Sequence, residues 1–245
     1  MKGIEGKTYL ITGISSAIGT AVAIKILEEG GNVIGTHRSK LTGILEFLNA
    51  NPNVKMIQWD ALENPEFIQG IEILDGWVNC IGSINPQPIK YMNETGRETL
   101  FEVNYFSCVK LANAILLHNR FNPGASIVFM SSVSSMFPYR GGSMYAASKA
   151  ALESFAKSLA LETSGKKIRV NTLVCALVKT PMFDASVKAY SDEDLKKIES
   201  KYPLGIGEPN DVAEPCMFLL SDAARWITGS SLQLDGGLLL DTSNS

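Results

Sequence analysis

Residues that can exchange a proton with a substrate oxygen lie between positions 132 and 149 of the sequence. Tyr145 and Lys149 are four residues apart, and in a helix this spacing places their side chains on the same face. A lysine ammonium there would lower the pKa of the phenol from its usual value of about 10 and allow proton exchange near neutral pH. Ser132 precedes the pair across a loop that contains Gly141 and Gly142. The pattern predicts acid–base chemistry on a carbonyl or alkoxide oxygen, although the Tyr–Lys spacing alone is equally typical of an ordinary helix surface.

A second stretch has the pattern of a loop that binds a dinucleotide phosphate. The β-rich apolar run 8–12 predicts a buried strand, and apolar residues from Ala21 onward recur at helical spacing. The intervening segment is Thr12-Gly13-Ile14-Ser15-Ser16-Ala17-Ile18-Gly19. A strand, a turn of small residues and a helix start let backbone N–H groups face a pyrophosphate, which glycines allow to approach closely. Considered alone, the segment also fits a plain βα turn.

The end of the predicted second strand, 32–36, indicates which dinucleotide would bind. In NAD-preferring sites an acidic residue near this point takes the ribose 2′-hydroxyl, whereas an arginine accommodates a 2′-phosphate. His37-Arg38-Ser39 follows the strand, and no Asp or Glu stands there. This favours NADP(H) over the alternative that Arg38 is a solvated surface residue. We interpret His37 as a neighbour of the adenosine pocket and not as a catalyst.

Apolar strands alternate with helical segments along the chain, which predicts an α/β fold with one parallel, doubly wound sheet and a single domain spanning 1–245. The further strands are predicted at 54–59, 73–80, 126–130 and 168–174, with a last strand within 226–237. The further helices are predicted at 41–48, 94–117, 143–162 and 211–220. The polar stretch 180–207 contains a charged run, 192–201, and is predicted to form a lid with a solvated helix.

Two polar residues each allow two interpretations. Asp60 closes the predicted third strand, where it would contact the adenine edge or cap a turn. Asn104 is an amide within an apolar part of the predicted helix 94–117, where it would serve a site or only satisfy backbone groups.

Composition narrows the class of protein. The chain has 245 residues, of which 45% are hydrophobic and 19% charged, which indicates a globular core. The net charge of −3 predicts no attraction to nucleic acid or to an anionic membrane, and no apolar run is long enough for a membrane span. The N-terminus lacks the pattern of a signal peptide. The four cysteines fit no metal spacing and predict free buried thiols in a reducing cytoplasm: Cys80, Cys108, Cys175 and Cys216.

Taken together, these residues resemble the short-chain dehydrogenase/reductase family over essentially the whole chain. The matching pieces are Thr12-Gly13…Gly19, Asp60, Asn79…Gly82, Asn104, Ser132, Tyr145…Lys149, Arg169-Val170-Asn171, Thr180, and Thr228-Gly229…Asp235-Gly236-Gly237. Each piece alone is weak, but their order and spacing are specific. The 3-oxoacyl-[acyl-carrier-protein] reductases are the most similar branch.

The resemblance implies a Rossmann-like sheet of about seven strands flanked by helices, and hydride transfer from NADP(H) to a ketone. Tyr145 would protonate the oxygen, Ser132 would orient the substrate, Lys149 would lower the pKa of Tyr145 and hold the nicotinamide ribose, and Asn104 would anchor a relay water. The implied cofactor contacts are Gly13, Ser15, Ser16, Ile18, Gly19, His37, Arg38, Ser39, Asp60, Ala61, Asn79, Gly82, Tyr145, Lys149, Val178 and Thr180. No metal is implied.

Several positions depart from the family pattern. Ala17 replaces the middle glycine of the first loop, Cys80-Ile81 replaces Asn-Ala, and the segment between Asp60 and Asn79 is short enough to predict a clipped helix. Cys175-Ala176 replaces the Pro-Gly beside the nicotinamide, which removes a fixed φ and a flexible residue from that turn. A packed Cys175 thiol is favoured over a nucleophile.

Three functions remain open from the sequence. The first is reduction of a ketone, which would include a 3-oxoacyl thioester on a carrier protein, since Lys166, Lys167 and Arg169 offer one basic patch. The second is oxidation of a polyol, sugar or other secondary alcohol, and the third is a dinucleotide-binding sensor or scaffold without turnover. The family commonly assembles through the helices that carry Asn104 and Tyr145, so we expect a homotetramer, with a dimer as the alternative.

Overall fold

The computed structural model describes residues 2–187 and 191–240, and its strands form a seven-stranded parallel sheet in the order β3-β2-β1-β4-β5-β6-β7. This confirms the predicted α/β class and the Rossmann-like architecture. The strands are β1 Thr8–Thr12, β2 Asn32–His37, β3 Val54–Gln58, β4 Leu74–Asn79, β5 Phe121–Ser132, β6 Arg169–Cys175 and β7 Ser231–Leu234.

Helices connect successive strands and cover both faces of the sheet. They are α1 Ala17–Glu28, α2 Ile44–Asn49, α3 Glu94–Phe101, α4 Ser107–Leu117, α5 Ser143–Thr163, α6 Pro181–Val187, α7 Asp192–Glu199 and α8 Pro209–Leu220. A π turn, Glu102–Phe106, joins α3 to α4 without a break. The sequence analysis expected a shortened helix between β3 and β4. The structure has a short 3-10 turn there, Glu66–Gly70.

Alternation along the strands divides the core into two layers, because successive side chains point to opposite faces of a sheet. Tyr9 and Ile11 of β1 pack with residues of α1 and α8 on one face. Leu10 of β1 and Phe129 of β5 pack with residues of α4 and α5 on the other. The central strands β1, β2, β4 and β6 are buried on both sides, which explains their largely apolar sequences, whereas the edge strands β3 and β7 are partly exposed.

The sheet order reverses between β1 and β4, which are neighbours although two strands separate them in sequence. Open α/β sheets bind ligands at such a point, in the crevice beyond the carboxyl ends of the strands. The β1–α1 loop, the end of β4 and the end of β5 therefore meet at one edge of the sheet.

Element boundaries differ from the prediction in three places. Strand β5 begins five residues earlier than expected, because an irregularity opposite Leu74 and Gly76 accommodates the Pro123-Gly124 segment that looked like a turn. Helix α2 begins only after Gly43, whose φ of 55° cannot belong to a helix. The last strand is limited to β7, and Trp226 lies outside it with 95% of its surface exposed.

Helix 94–117 is, among the described residues, the one that is long and apolar enough to cross a membrane by length and composition alone. Its inner face packs into the core through Leu100, Cys108, Leu111 and Ile115. The charged run 192–201 forms α7 and the capping box at Ser191 and Asp194, and residues 188–190 of the predicted lid lie outside the described residues.

Arg169 fastens the last helix to the sheet. Its guanidinium, at the start of β6, donates to the carbonyl oxygens of Leu219 at 2.7 Å and Ser221 at 3.2 Å, at the C-terminal end of α8. These carbonyls have no partner within the helix, so a cation there satisfies them and also interacts favourably with the helix dipole.

Replacement of Arg169 by Met should therefore lower the free energy of unfolding by about 2–3 kcal/mol, since the charged hydrogen bonds to these carbonyls are lost. Urea denaturation monitored by circular dichroism would measure the change. Arg225 is exposed and serves as the control, and Arg225→Met should stay within about 0.5 kcal/mol of the parent. Equal stability of the two variants would contradict the assignment.

Candidate functional site

The β1–α1 loop approaches the end of β4 so closely that it requires glycine. Gly13 has a φ of 76°, and a Cβ there would lie 3.1 Å from the backbone of Cys80. A Cβ at Gly19 would lie 2.4 Å from the carbonyl oxygen of Gly13. Ser16 braces the turn, because its Oγ donates to the Gly13 carbonyl at 2.9 Å and accepts from the Gly19 N–H at 3.0 Å. The loop is thus a tightly folded turn with a bare backbone.

The N-terminus of α1 offers donors to an anion at this turn. The first N–H groups of a helix have no partner within it, and the Ser16 cap takes those of Gly19 and Thr20. The N–H groups of Ala17 and Ile18 are left to face the space in front of the helix, where the dipole also favours negative charge. Ser15, in the same turn, is exposed.

Asn79, at the end of β4, has a buried side-chain amide that is hydrogen-bonded to Thr12 at the start of the β1–α1 loop. The Asn79 Oδ1 accepts from the Thr12 hydroxyl at 2.7 Å and from the Ile81 N–H at 3.4 Å, while the Trp77 indole donates to Thr12. Asn79 is 1% exposed, and its Nδ2 is a buried donor without a partner among the described residues. Such orphan donors are rare unless a ligand or water takes the bond.

The end of β2 presents Arg38 and Ser39 at the surface beside the buried His37. The His37 Nδ1 lies 2.7 Å from the Ser39 carbonyl oxygen, which fixes the ring within the turn. The Arg38 side chain is exposed, and its carbonyl accepts from Gln58. The guanidinium is therefore accessible from solvent.

Asp60 follows β3, and its Oδ1 accepts from the Leu62 N–H at 2.9 Å. This contact matches the turn-capping interpretation, and it leaves the second carboxylate oxygen available to a ligand. Ala61, beside it, packs against the core layer of α4 and α5.

Ser132 and Tyr145 meet across the loop between β5 and α5. Their side chains are hydrogen-bonded to each other, and Ser132 is buried at the last position of β5. The Ser132 Oγ also lies 3.2 Å from the hydroxyl and from the N–H of Ser134. The sequence analysis missed Ser134, whose only signal was its position two residues after a strand-end serine.

The sequence analysis expected Lys149 to lower the pKa of Tyr145, and this expectation is wrong: in the structure the pKa of Tyr145 is raised. Removal from water raises the pKa of Tyr145 to about 12; the Ser132 hydrogen bond lowers it, whereas Tyr139 and Cys175 raise it further. The Lys149 Nζ lies 5.8 Å from the centre of the tyrosine ring and donates instead to the Met130 carbonyl at 2.8 Å. Desolvation therefore outweighs the lysine, and the phenol is protonated at neutral pH.

Lys149 is 4% exposed, and burial lowers its pKa to about 8; Cys175, Cys108, Cys80 and Glu153 partly offset that effect. With a pKa of about 8, the Lys149 amine beside the Tyr145 phenol can gain or lose its proton close to physiological pH. A pKa shifted toward the working pH is typical of groups that transfer protons.

Asn104 lies in the π turn and is fully buried. Its Oδ1 accepts from the Ser83 N–H at 2.7 Å, and its Nδ2 donates to the Ser83 carbonyl at 2.9 Å and to the Ser148 hydroxyl at 3.0 Å. A Cβ at Gly82 would lie 3.4 Å from the Lys149 Nζ and 3.7 Å from the Asn104 Oδ1, so the amide and the amine flank the same glycine. Sequence reasoning singled out neither Ser83 nor Ser148.

The turn after β6 presents a backbone edge near the same site. Val178 forms an isolated parallel bridge with Gly207, in which Lys179 and Leu177 make the hydrogen bonds. In parallel pairing the N–H and C=O of the bridging residue then point to the other side. Thr180 accepts from the Phe183 N–H at the start of α6. Cys175 is buried, and burial raises the pKa of its thiol to about 12, so it is a packed thiol and not an activated nucleophile.

These observations fit a dinucleotide along the carboxyl edge of the sheet. The Gly13–Gly19 turn presents backbone N–H groups at the start of α1, the Asn79 Nδ2 at the end of β4 is a buried donor without a partner among the described residues, and Val178 presents a peptide edge. The structure brings Asn104, Ser132, Tyr145 and Lys149 together at this edge. The residues predicted to contact the adenosine half, from His37 to Ala61, lie at the ends of β2 and β3.

Comparisons with known proteins agree with this geometry. A family model described as enoyl-(acyl carrier protein) reductase matches residues 13–239. The 3-oxoacyl-[acyl-carrier-protein] reductase FabG of Vibrio cholerae is 31% identical over 97% of this chain and 99% of its own. The 2,5-dichloro-2,5-cyclohexadiene-1,4-diol dehydrogenase LinX of Sphingobium indicum is 31% identical over 96% of both chains. The ligand-free aldohexose dehydrogenase of Thermoplasma acidophilum has a TM-score of 0.85 at 25% identity, covering 99% of this chain and 97% of its own.

Proposed function

The chain belongs to the short-chain dehydrogenase/reductase family, and from that premise we propose that it reduces a ketone to a secondary alcohol with NADP(H). The coarser activity, oxidoreduction between C=O and CH–OH groups with a nicotinamide dinucleotide, follows from the family. The direction, the phosphate on the cofactor and the substrate class are our proposal.

One observation supports reduction: the Tyr145 phenol lies beside Ser132 at the end of β5, where burial raises its pKa to about 12 and keeps the proton on the phenol at neutral pH. Carbonyl reduction needs a proton donor at the developing alkoxide, whereas alcohol oxidation needs the same group as a base. A phenol of this pKa supports reduction near neutrality. The oxidation of an alcohol, to which the names of two relatives point, would accelerate as the pH rises.

When bound, the reduced nicotinamide supplies a hydride to the carbonyl carbon. The Tyr145 hydroxyl donates its proton to the carbonyl oxygen, and the Ser132 hydroxyl, steadied by Ser134, donates a hydrogen bond to the same oxygen. Lys149 restores the proton on Tyr145, and Asn104 connects the amine to Ser83 and to solvent beyond it.

The loop between Ser132 and Tyr145 supports a substrate with an apolar part. Met136 and Phe137 are 49% and 54% exposed there, and Tyr139 is 40% exposed. Apolar side chains at the entrance favour an acyl or cyclic ketone over a polyol. A 3-oxoacyl thioester is one such substrate, and FabG, by its name, reduces it on a carrier protein.

Replacement of Tyr145 by Phe removes the proton donor and should reduce turnover at least about 100-fold, since general acid catalysis is worth two or more orders of magnitude. NADPH binding should stay within about threefold of the parent. NADPH consumption against a panel of ketones, with fluorescence titration of the cofactor, measures both quantities. Tyr91→Phe, at a 62% exposed position, is the matched control. Undiminished turnover would refute the role of Tyr145, and a parent that binds cofactor but reduces no ketone would favour a sensor.

Replacement of Arg38 by Ala should weaken NADPH binding about 10-fold or more and leave NADH binding unchanged, because only NADPH carries the 2′-phosphate. Fluorescence titration with both cofactors measures the ratio. Lys40→Ala, also exposed and two residues on, controls for a general loss of positive charge. Equal losses for the two cofactors, or a parent that prefers NADH, would remove the phosphate assignment.

We further propose a homotetramer. The outward face of α5 carries small residues, Ala147, Ala150 and Ser154, and ends at Leu161, which is 78% exposed; Leu117 of α4 is 69% exposed. Small residues let two helices approach closely, and exposed leucines gain from burial. Light scattering after size exclusion should give four times the 26.5 kDa mass of the chain. A monomer mass would refute the proposal. A dimer mass would also refute the tetramer and would mean that only one of its interfaces forms.

A further inference from the structure

Glu153 is a carboxylate that the proposed reaction does not use, and it is buried on α5 with 8% of its surface exposed. It follows Lys149 by four residues, as Lys149 follows Tyr145, so the three side chains form one row along the helix. A buried carboxylate is costly unless hydrogen bonds and a compensating charge accompany it.

Two hydroxyls hold the carboxylate. The Ser131 hydroxyl donates to its Oε1 at 2.7 Å, and the Ser231 hydroxyl donates to its Oε2 at 3.1 Å. The Thr172 hydroxyl in turn donates to the Ser231 Oγ at 2.8 Å. Glu153 therefore joins α5 to β5 and β7 directly, and to β6 through Ser231.

Each of the three residues on α5 contacts one of the last three residues of β5. Lys149 donates to the Met130 carbonyl, Glu153 accepts from Ser131, and Tyr145 is hydrogen-bonded to Ser132. A slip of the helix along the strand would break all three contacts at once. The Glu153 contact is the one that involves neither of the reacting side chains.

We propose that Glu153 is a positioning residue for the Tyr145–Lys149 pair: its carboxylate fixes α5 against the ends of β5 and β7 and supplies the negative charge that keeps Lys149 protonated. The inference rests on the proposed function for its effect on turnover. The effect on Lys149 does not depend on it.

Among the described groups that interact with Lys149, Glu153 is the one that we expect to carry a negative charge when Lys149 titrates. Tyr145 on α5, Cys80 after β4, Cys108 on α4 and Cys175 on β6 also face the amine. Burial raises the pKa of Cys80 and of Cys175 to about 12 and raises that of Cys108 further, and the pKa of Tyr145 is about 12. These groups stay neutral where Lys149 titrates, so their charges cannot support the ammonium there.

The sign of the effect follows. Removing the charge of Glu153 destabilises the ammonium form of Lys149, so the proton leaves at lower pH. If turnover needs the ammonium, activity is lost as the pH rises through the pKa of Lys149, and the decline should begin at lower pH in a charge-neutral variant.

The test is the titration of Lys149 in the full chain, labelled with 13C-lysine and monitored by NMR, with the resonance assigned by its loss in Lys149→Met. The parent midpoint is expected at about 8. Glu153→Gln keeps the shape and removes the charge, and its midpoint should lie clearly lower. Glu162→Gln, on the same helix but exposed, should keep the parent midpoint. An unchanged or raised midpoint in Glu153→Gln would overturn the proposal.

Glu153→Asp is the second variant, and it decides the matter if the glutamine variant fails to fold. It keeps the charge and withdraws it by one methylene from Ser231, so the Lys149 midpoint should stay near that of the parent while kcat falls. A midpoint that drops in the aspartate variant would refute the role of the charge.

Turnover adds a readout that a merely structural role would not move. Relative to the parent, Glu153→Gln should lose about twofold more activity at pH 8 than at pH 6.5, as expected when the pKa of Lys149 falls by about half a unit from about 8. A loss that is equal at both values would mean that only the fold was damaged. If the parent reduces no ketone, the proposed function fails, but the NMR titration still decides the role of Glu153.

Discussion

The removal of Lys149 from water is the constraint on which the site depends. A buried amine must be satisfied, and the helix and the sheet are arranged so that it donates to the Met130 carbonyl at the end of β5. The same burial lowers the pKa of Lys149 to about 8 and raises that of Tyr145 to about 12. Burial thus leaves both groups protonated at neutral pH but moves their pKa values apart, and the low dielectric of the strand ends, more than their mutual attraction, sets their proton affinities.

The parallel sheet brings the residues of the site together with few polar residues in each strand. Its carboxyl edge brings together residues that are far apart in sequence, such as Gly13, Asn79 and Ser132, because parallel strands all end on the same side. Each strand end then needs only one or two polar residues. Tight backbone approaches between Gly13 and Cys80, and between Gly19 and Gly13, leave no space for a Cβ, so bare backbone forms the turn that would face a phosphate.

Sequence reasoning reached the alternation of strands and helices, the fold class and the group of residues around Tyr145, because these depend on period and spacing. It could not find the contacts that close the site. Ser83 and Ser148 hold Asn104 through backbone and hydroxyl groups, for which no residue type gives a signal. It also predicted the wrong direction for the pKa of Tyr145, since i, i+4 spacing reports a neighbouring charge but not the depth of burial. The length of β5 was missed because a bulge lets Pro123 and Gly124 remain in a strand.

The π turn around Asn104 makes the helix 94–117 sensitive to the exact number of residues that it contains. A π turn holds one residue more than the α-helix that would replace it, and each residue of an α-helix turns the chain by about 100°. Deleting one residue within 102–106 would restore a regular helix and rotate α4 relative to α3, so Leu100 and Leu111 could no longer both be buried. This segment is therefore tolerant of side-chain exchange at its exposed positions but intolerant of a single-residue insertion or deletion, which is the reverse of what a surface loop allows.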